Sequence, residues 1–141
     1  MFRKLRVATG AVAVLLVLGG CSEITSPKLL TSFDWGEVED PETVVEGIGT
    51  SVALGDLFIL GQMNTPTRCY RLEADFNRSG SNLTVRVHAD PNNAPNCDDR
   101  LGGFRYTAVM SNLKFGTYQL RVIHDITAGA GSEYTKTVTI R

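Results

Sequence analysis

Two histidines, three cysteines and one loop of acids and amides are the groups in this 141-residue chain that could do chemistry. His88 has Asp90 close by, and His124 has Asp125 beside it. An imidazole oriented by a carboxylate can serve as a general base, and beside a serine it can activate a nucleophile. Such a serine needs a strained Gly-x-Ser-x-Gly turn, and the sequence contains none. Both histidines are therefore expected on the surface, at strand ends. They could share a metal only if folding brought their strands together.

Asp90, Asn92, Asn93, Asn96, Asp98 and Asp99 crowd one loop. Hard oxygens of this kind suit calcium. Pro91 and Pro95 break the spacing, however, and Asx residues favour turns for their own hydrogen-bonding reasons. The remaining acids fall mainly near the amino end, so no carboxylate pair for sugar hydrolysis stands out. "GDLFILG" (55–61) lacks the helix and lysine of a phosphate cradle. The expectation is a chain with no catalytic residue, no metal site and no cofactor.

Cys21 ends a different kind of segment. The chain opens with Arg3, Lys4 and Arg6 and no acid, then runs apolar from Val7 to Leu18. As a helix this run would measure about 18 Å, short of the roughly 30 Å of a bilayer core. Basic, apolar and small residues in that order form a secretory signal. Leu18-Gly19-Gly20-Cys21 resembles the lipobox of bacterial lipoproteins. The resemblance covers residues 1–21. It implies cleavage before Cys21, a diacylglycerol on the thiol and a further acyl chain such as palmitate on the new amine. Several chains make a durable anchor, since each buried methylene contributes roughly 0.8 kcal/mol. Ser22, where Asp would favour the inner membrane in that family, points to the outer membrane.

Residues 1–20 hold three bases and no acid, so 11 bases face 15 acids in the remainder. That balance argues against a nucleic-acid partner, which calls for a basic stripe. With Cys21 carrying lipid in an oxidising compartment, Cys69 and Cys97 are left to pair with each other, the alternative being a bond between chains. Residues 21–42 read as an acidic tether. The stretch from Glu23 to Glu46 carries seven acids and one base, Lys28. Phe33 and Trp35 interrupt it, and their alternation suits a first strand packed on the domain better than an exposed partner-binding pair.

From residue 43 to 141 the period is two, which means strands. "TVVEGIGTSVALGDLFILGQM" reads as strands at about 43–48 and 51–61, with bends near Gly47, Gly49 and Gly55. "TRCYRLEADF" and "LTVRVHA" form a hairpin. It places Tyr70, Leu72, Ala74, Phe76, Leu83, Val85, Val87 and Ala89 inward, and Cys69, Arg71, Arg86 and His88 outward. Further strands follow at 104–110, 117–125 and 133–141. Short strands at this spacing define an all-β sandwich or barrel. A Cys69–Cys97 bond would pin the loop between them.

Leu113, Gly116 and Tyr118 in "NLKFGTYQLRV" resemble the penultimate strand of immunoglobulin-like and fibronectin type III-like domains. The resemblance implies a sandwich of about seven strands and a tyrosine corner, in which the phenol bonds to nearby backbone. Phe115 stands where proline is common, and Leu120 occupies the position of the second bridging cysteine. The disulfide is thus of a local kind, and a transthyretin-like sandwich fits the same motif. The function expected is a membrane-anchored envelope lipoprotein whose non-catalytic module contacts an envelope protein in adhesion or assembly. The alternative is a ligand module for glycan or peptide, including protease inhibition by the pinned loop. Candidate contact residues are Asn92, Asn93, Asp98, Asp99 and Arg100.

Overall fold

The computed structural model describes residues 28–127 and 129–141. The signal segment and the lipidation site Cys21 lie outside the described residues. Side chains in a strand face two sides in turn, and the alternation in this sequence produces eight strands. They are β1 (Leu30–Glu37), β2 (Gly47–Ala53), β3 (Asp56–Thr65), β4 (Tyr70–Ser79), β5 (Asn82–Pro91), β6 (Gly102–Ser111), β7 (Gly116–Ile126) and β8 (Ser132–Ile140). Two four-stranded sheets result, ordered β1-β6-β3-β2 and β4-β5-β7-β8. The protein is an all-β sandwich. Neighbouring strands are antiparallel except β5 and β7, which run parallel. The connection between those two passes through β6 of the opposite sheet.

The inner faces meet in one core. Leu57, Ile59, Met63, Phe104, Tyr106 and Met110 come from the first sheet, and Leu83, Val85, Val87, Leu120 and Val122 from the second. The hairpin of β4 and β5 has the register that alternation required. Tyr70 and Leu72 are buried, Ala74 and Phe76 half-buried, and Arg71 and Glu73 exposed. A layered sandwich is present with eight strands rather than about seven. Its strand order differs from the A-B-E-D and C-F-G sheets of constant-type immunoglobulin domains.

Two expected boundaries move. The segment read as an acidic tether to residue 42 already contains β1, which pairs along its full length with β6. Phe33 and Trp35 pack against the core while Asp34 between them is exposed. Alternation of two large rings outweighed the acidic composition. The break between the next two strands lies at Leu54–Gly55, not near Gly49. Both turn residues have positive φ, 53° and 83°, as a two-residue hairpin of type I′ requires. Gly47 and Gly49 therefore sit inside a strand, not at its bends.

The tyrosine corner is formed. Tyr118 donates its hydroxyl to the Lys114 carbonyl at 2.8 Å, which satisfies a buried phenol beside the turn entering β7. Cys69 and Cys97 are bonded, with Cα atoms 5.2 Å apart. The loop that carries Cys97 is fastened at both ends to the residues entering β4. Asn92 N–H donates to the Cys69 carbonyl at 2.6 Å, and Arg68 N–H donates to the Arg100 carbonyl at 2.9 Å.

Replacing both cysteines by serine should lower stability by about 3–4 kcal/mol, the chain-entropy value for a loop of this size. Urea unfolding of the two forms measures it, and an unchanged midpoint would contradict a stabilising role. Tyr118→Phe should cost about 1 kcal/mol, the usual net value of one hydrogen bond. A melting temperature a few degrees lower, with the sandwich circular dichroism retained, is the expected reading.

Candidate functional site

Strand alternation gives each sheet an outward face, and the two outward faces differ in chemistry. On the second sheet, charges meet across strands. His88 Nε2 lies 2.7 Å from Asp75 Oδ2 on β4, and Nδ1 lies 3.7 Å from Asp125 Oδ2 on β7. Arg86 reaches the same Asp125 oxygen at 3.2 Å. Arg121 grips Glu133 on β8 through two bonds of 2.7 Å. This fork holds the Glu133 carboxyl below the usual carboxylate range. Exposed pairs of this kind contribute little stability. They leave the face polar, with most of its charges answered by one another.

The first sheet carries no such network. Its outward face holds an open depression of about 700 Å³. Rows of residues cross the strands there. Gly36, Arg105, Gln62 and Gly47 form one row, and Asp34, Thr107, Leu60 and Gly49 form the next. Three of those eight positions are glycine, so the floor is backbone. Leu60 and Val45 stand exposed at its margin, at 52% and 79%. Arg105 forms no ion pair among the described residues. A face of this sort offers an apolar side chain, a free guanidinium and flat backbone.

Beneath that floor, the inward row between those two, Trp35, Tyr106, Gly61 and Ile48, holds it in place. Tyr106 faces Gly61 on one side and Trp35 on the other. A Cβ on Gly61 would fall 2.0 Å from the Tyr106 ring, so only glycine lets the ring lie there. The Tyr106 hydroxyl then reaches across the sandwich to His124 Nε2 at 2.7 Å. Tyr134 closes the other side of the imidazole, ring centres 5.1 Å apart.

His124 is 1% exposed, which corrects its expected place on the surface. The alternation Tyr118, Leu120, Val122, His124 already carried the inward signal. The two histidines lie on neighbouring strands but on opposite faces, since Val87 pairs with His124 and His88 with Asp125. A shared metal is geometrically impossible for them. Nor does Asp90 serve His88; it accepts from Thr127 Oγ1 at 2.6 Å. Burial pushes the His124 pKa down, opposed only in part by Glu46. It also pushes the Tyr106 pKa up. Both groups are thus kept neutral. Either tautomer leaves His124 Nδ1 without a partner.

The pinned loop keeps four of its five candidate residues exposed, with Asp98 half-buried. Asp98 and Arg100 are bonded to each other at 2.6 and 2.9 Å, and that contact lowers the Asp98 pKa. Asn92, Asn93 and Asp99 are exposed. Among the described residues, no group of three acids, histidines or cysteines is placed to hold a metal ion. The depression itself was missed in the sequence. Its signal was the uncharged, glycine-spaced run "GIGTSVALG".

The fold and this surface define a class, an eight-stranded sandwich with one charge-paired face and one flat, glycine-floored face. No family model matches the chain, and neither a curated protein nor a solved structure matches it.

The neutral His124 predicts a pH dependence. The unfolded imidazole takes a proton near pH 6.5, while the folded one resists it. Its contribution is present above about pH 6.5 and is lost as pH falls below that value. Melting temperature should decline between about pH 6.5 and 5, before exposed carboxylates titrate. His124→Gln keeps an acceptor for Tyr106 and should flatten that decline. Identical pH profiles for the two forms would contradict the assignment.

Proposed function

We propose that this chain is a lipid-anchored envelope protein whose sandwich serves as a non-catalytic module for protein interaction in adhesion or envelope assembly. The contrast between the two outward faces carries the reading. One face spends its charges on itself, and the other exposes apolar side chains, free Arg105 and a backbone floor. Exposed apolar surface rimmed by polar groups is the usual mark of a partner site. The amino-terminal signal supports the anchor at Cys21, and Ser22 supports the outer membrane. Only eight residues separate Cys21 from Leu30. At about 3.3–3.6 Å per residue they span at most roughly 30 Å. The module thus works close to the membrane surface.

The depression also favours a second reading, a ligand module. Its volume falls in the range of small-molecule and peptide sites, about 300–1,000 Å³. Trp35 and Tyr106 line the depression but pack their rings on the core, so stacking on sugar rings finds less support than an extended peptide.

Replacing Cys21 with Ala should move the protein from the membrane to the soluble fraction. Retention after an alkaline wash would contradict the lipid anchor. In-cell cross-linking from position 105 should capture a recurrent envelope protein. Scattered capture of abundant neighbours, equal to that from position 121 on the charged face, would contradict the interaction reading.

A further inference from the structure

A sandwich of two open sheets has four edges, here β1, β2, β4 and β8. Each edge presents unpaired backbone N–H and C=O groups, and proteins usually guard them with charge, proline or bulges. Three edges follow that rule. β4 carries Arg71, Glu73, Asp75 and Arg78; β8 carries Glu133 and Lys136; β1 carries Asp34 and Glu37. β2, Gly47–Ala53, reads "GIGTSVA" and has neither charge nor proline.

The tight turn fixes which groups of β2 are free. Ala53 and Asp56 flank the two-residue loop, so that pair exchanges hydrogen bonds, as does every second pair beyond it. Gly49 and Ser51 therefore bond inward to β3. Ile48, Thr50 and Val52 direct their N–H and C=O groups to the open side. None of the three has another backbone partner among the described residues.

Apolar surface gathers at the same edge. Of the seven large hydrophobic residues exposed among the described residues, four are Val45, Val52, Leu54 and Leu60. Leu54 is fully exposed and sits at φ 53°. A left-handed conformation disfavours a leucine by roughly 1–2 kcal/mol, and type I′ turns take Asn or Gly there. Among the described residues its fully exposed side chain gains no packing that would offset that cost.

We propose that β2 pairs with β2 of a second copy of this chain, antiparallel, about a two-fold axis through Thr50. That register sets Thr50 against Thr50 and Ile48 against Val52, so the edge-facing backbone groups of all three residues are bonded in each copy. Every new hydrogen-bonded pair, Thr50 with Thr50 and Ile48 with Val52, is β-branched, the kind that stabilises sheets, and no like charges meet. Leu54 of each copy comes beside Val45 and Glu46 of the other, which covers the two most exposed aliphatic side chains of this edge. An isologous contact of this kind closes on itself as a dimer. The two first sheets become one of eight strands, with both depressions on the same side. The pairing rests on the edge alone and holds whether or not Cys21 carries lipid.

The test uses the full chain purified in detergent. Thr50→Cys should oxidise to a covalent dimer, with peptide mapping that joins position 50 to position 50. Thr137→Cys, on the guarded edge β8, is the control and should stay monomeric. Leu54→Asn relieves the turn and should keep or raise the melting temperature while weakening the dimer in sedimentation equilibrium. Thr50→Lys should abolish the dimer with the fold intact. Equal cross-linking from positions 50 and 137 would overturn the proposal. So would an unmodified chain that sediments as a monomer at every concentration, including one that binds a foreign strand at β2 instead.

Discussion

The hydrogen bond between Tyr106 and His124 is the constraint on which the rest of the sandwich depends. It joins β6 of one sheet to β7 of the other through two side chains buried away from water. A buried phenol and a buried imidazole each need a partner, and each supplies the other's. The geometry has one further requirement, the absence of a side chain on Gly61. With that space open, the tyrosine ring lies flat beside β3, with Phe33 against it at a centroid distance of 5.5 Å. Phe33 in turn belongs to β1, so the first strand of the domain is held by the same contact. The acidic composition around β1 matters less than the ring pair it carries.

Parity then connects the interior to the surface. Residues adjacent to Tyr106, Gly61 and Ile48 along their strands point outward. Those positions are Arg105, Thr107, Leu60, Gln62, Gly47 and Gly49. A sheet gripped from within by aromatic side chains does not need bulk on its outer side to stay ordered. The glycines there therefore cost little packing and leave a shallow floor. The second sheet instead ties β4, β5, β7 and β8 together across its outward face with ion pairs. Those pairs are individually weak, yet they make the face self-sufficient, and recognition is left to the other side.

Much of this was legible in the sequence, for identifiable reasons. Period-two alternation located β4 to β8, since each buries a regular row of aliphatic residues on one face. The tyrosine corner was legible because Leu113, Gly116 and Tyr118 keep a fixed local spacing. The disulfide followed from counting cysteines. Other features depend on partners distant in sequence. That His124 meets Tyr106, 18 residues away, depends on which sheets β6 and β7 join, although its inward parity was readable. At β1 acidic composition read as a tether, while the alternation of Phe33 and Trp35 within it already pointed to a strand packed on the domain. Glycine misled at β2, because Gly47 and Gly49 are bends by local propensity and strand residues by pairing. The outward depression was invisible for a related reason: it is made by missing side chains on separate strands, and only register brings those gaps together.

Register at β2 is itself a problem that the structure solves in a particular way. Strands rich in glycine specify register weakly, because few side chains penalise a slip. Here Gly47 and Gly49 contribute nothing, and Thr50 and Val52 pack only partly. Two features replace them. Ile48 is the side chain of this strand that packs on the core, opposite the empty position of Gly61. At the far end, the Leu54–Gly55 turn closes the hairpin with positive φ at both residues, which permits a single pairing of Ala53 with Asp56. Glu46, just before the strand, adds a bond from Asn64 N–H at 3.2 Å. A slip by one residue would turn Ile48 outward and leave the space beside Tyr106 unfilled. The core contact that holds the two sheets together therefore also fixes which backbone groups of β2 face the open edge.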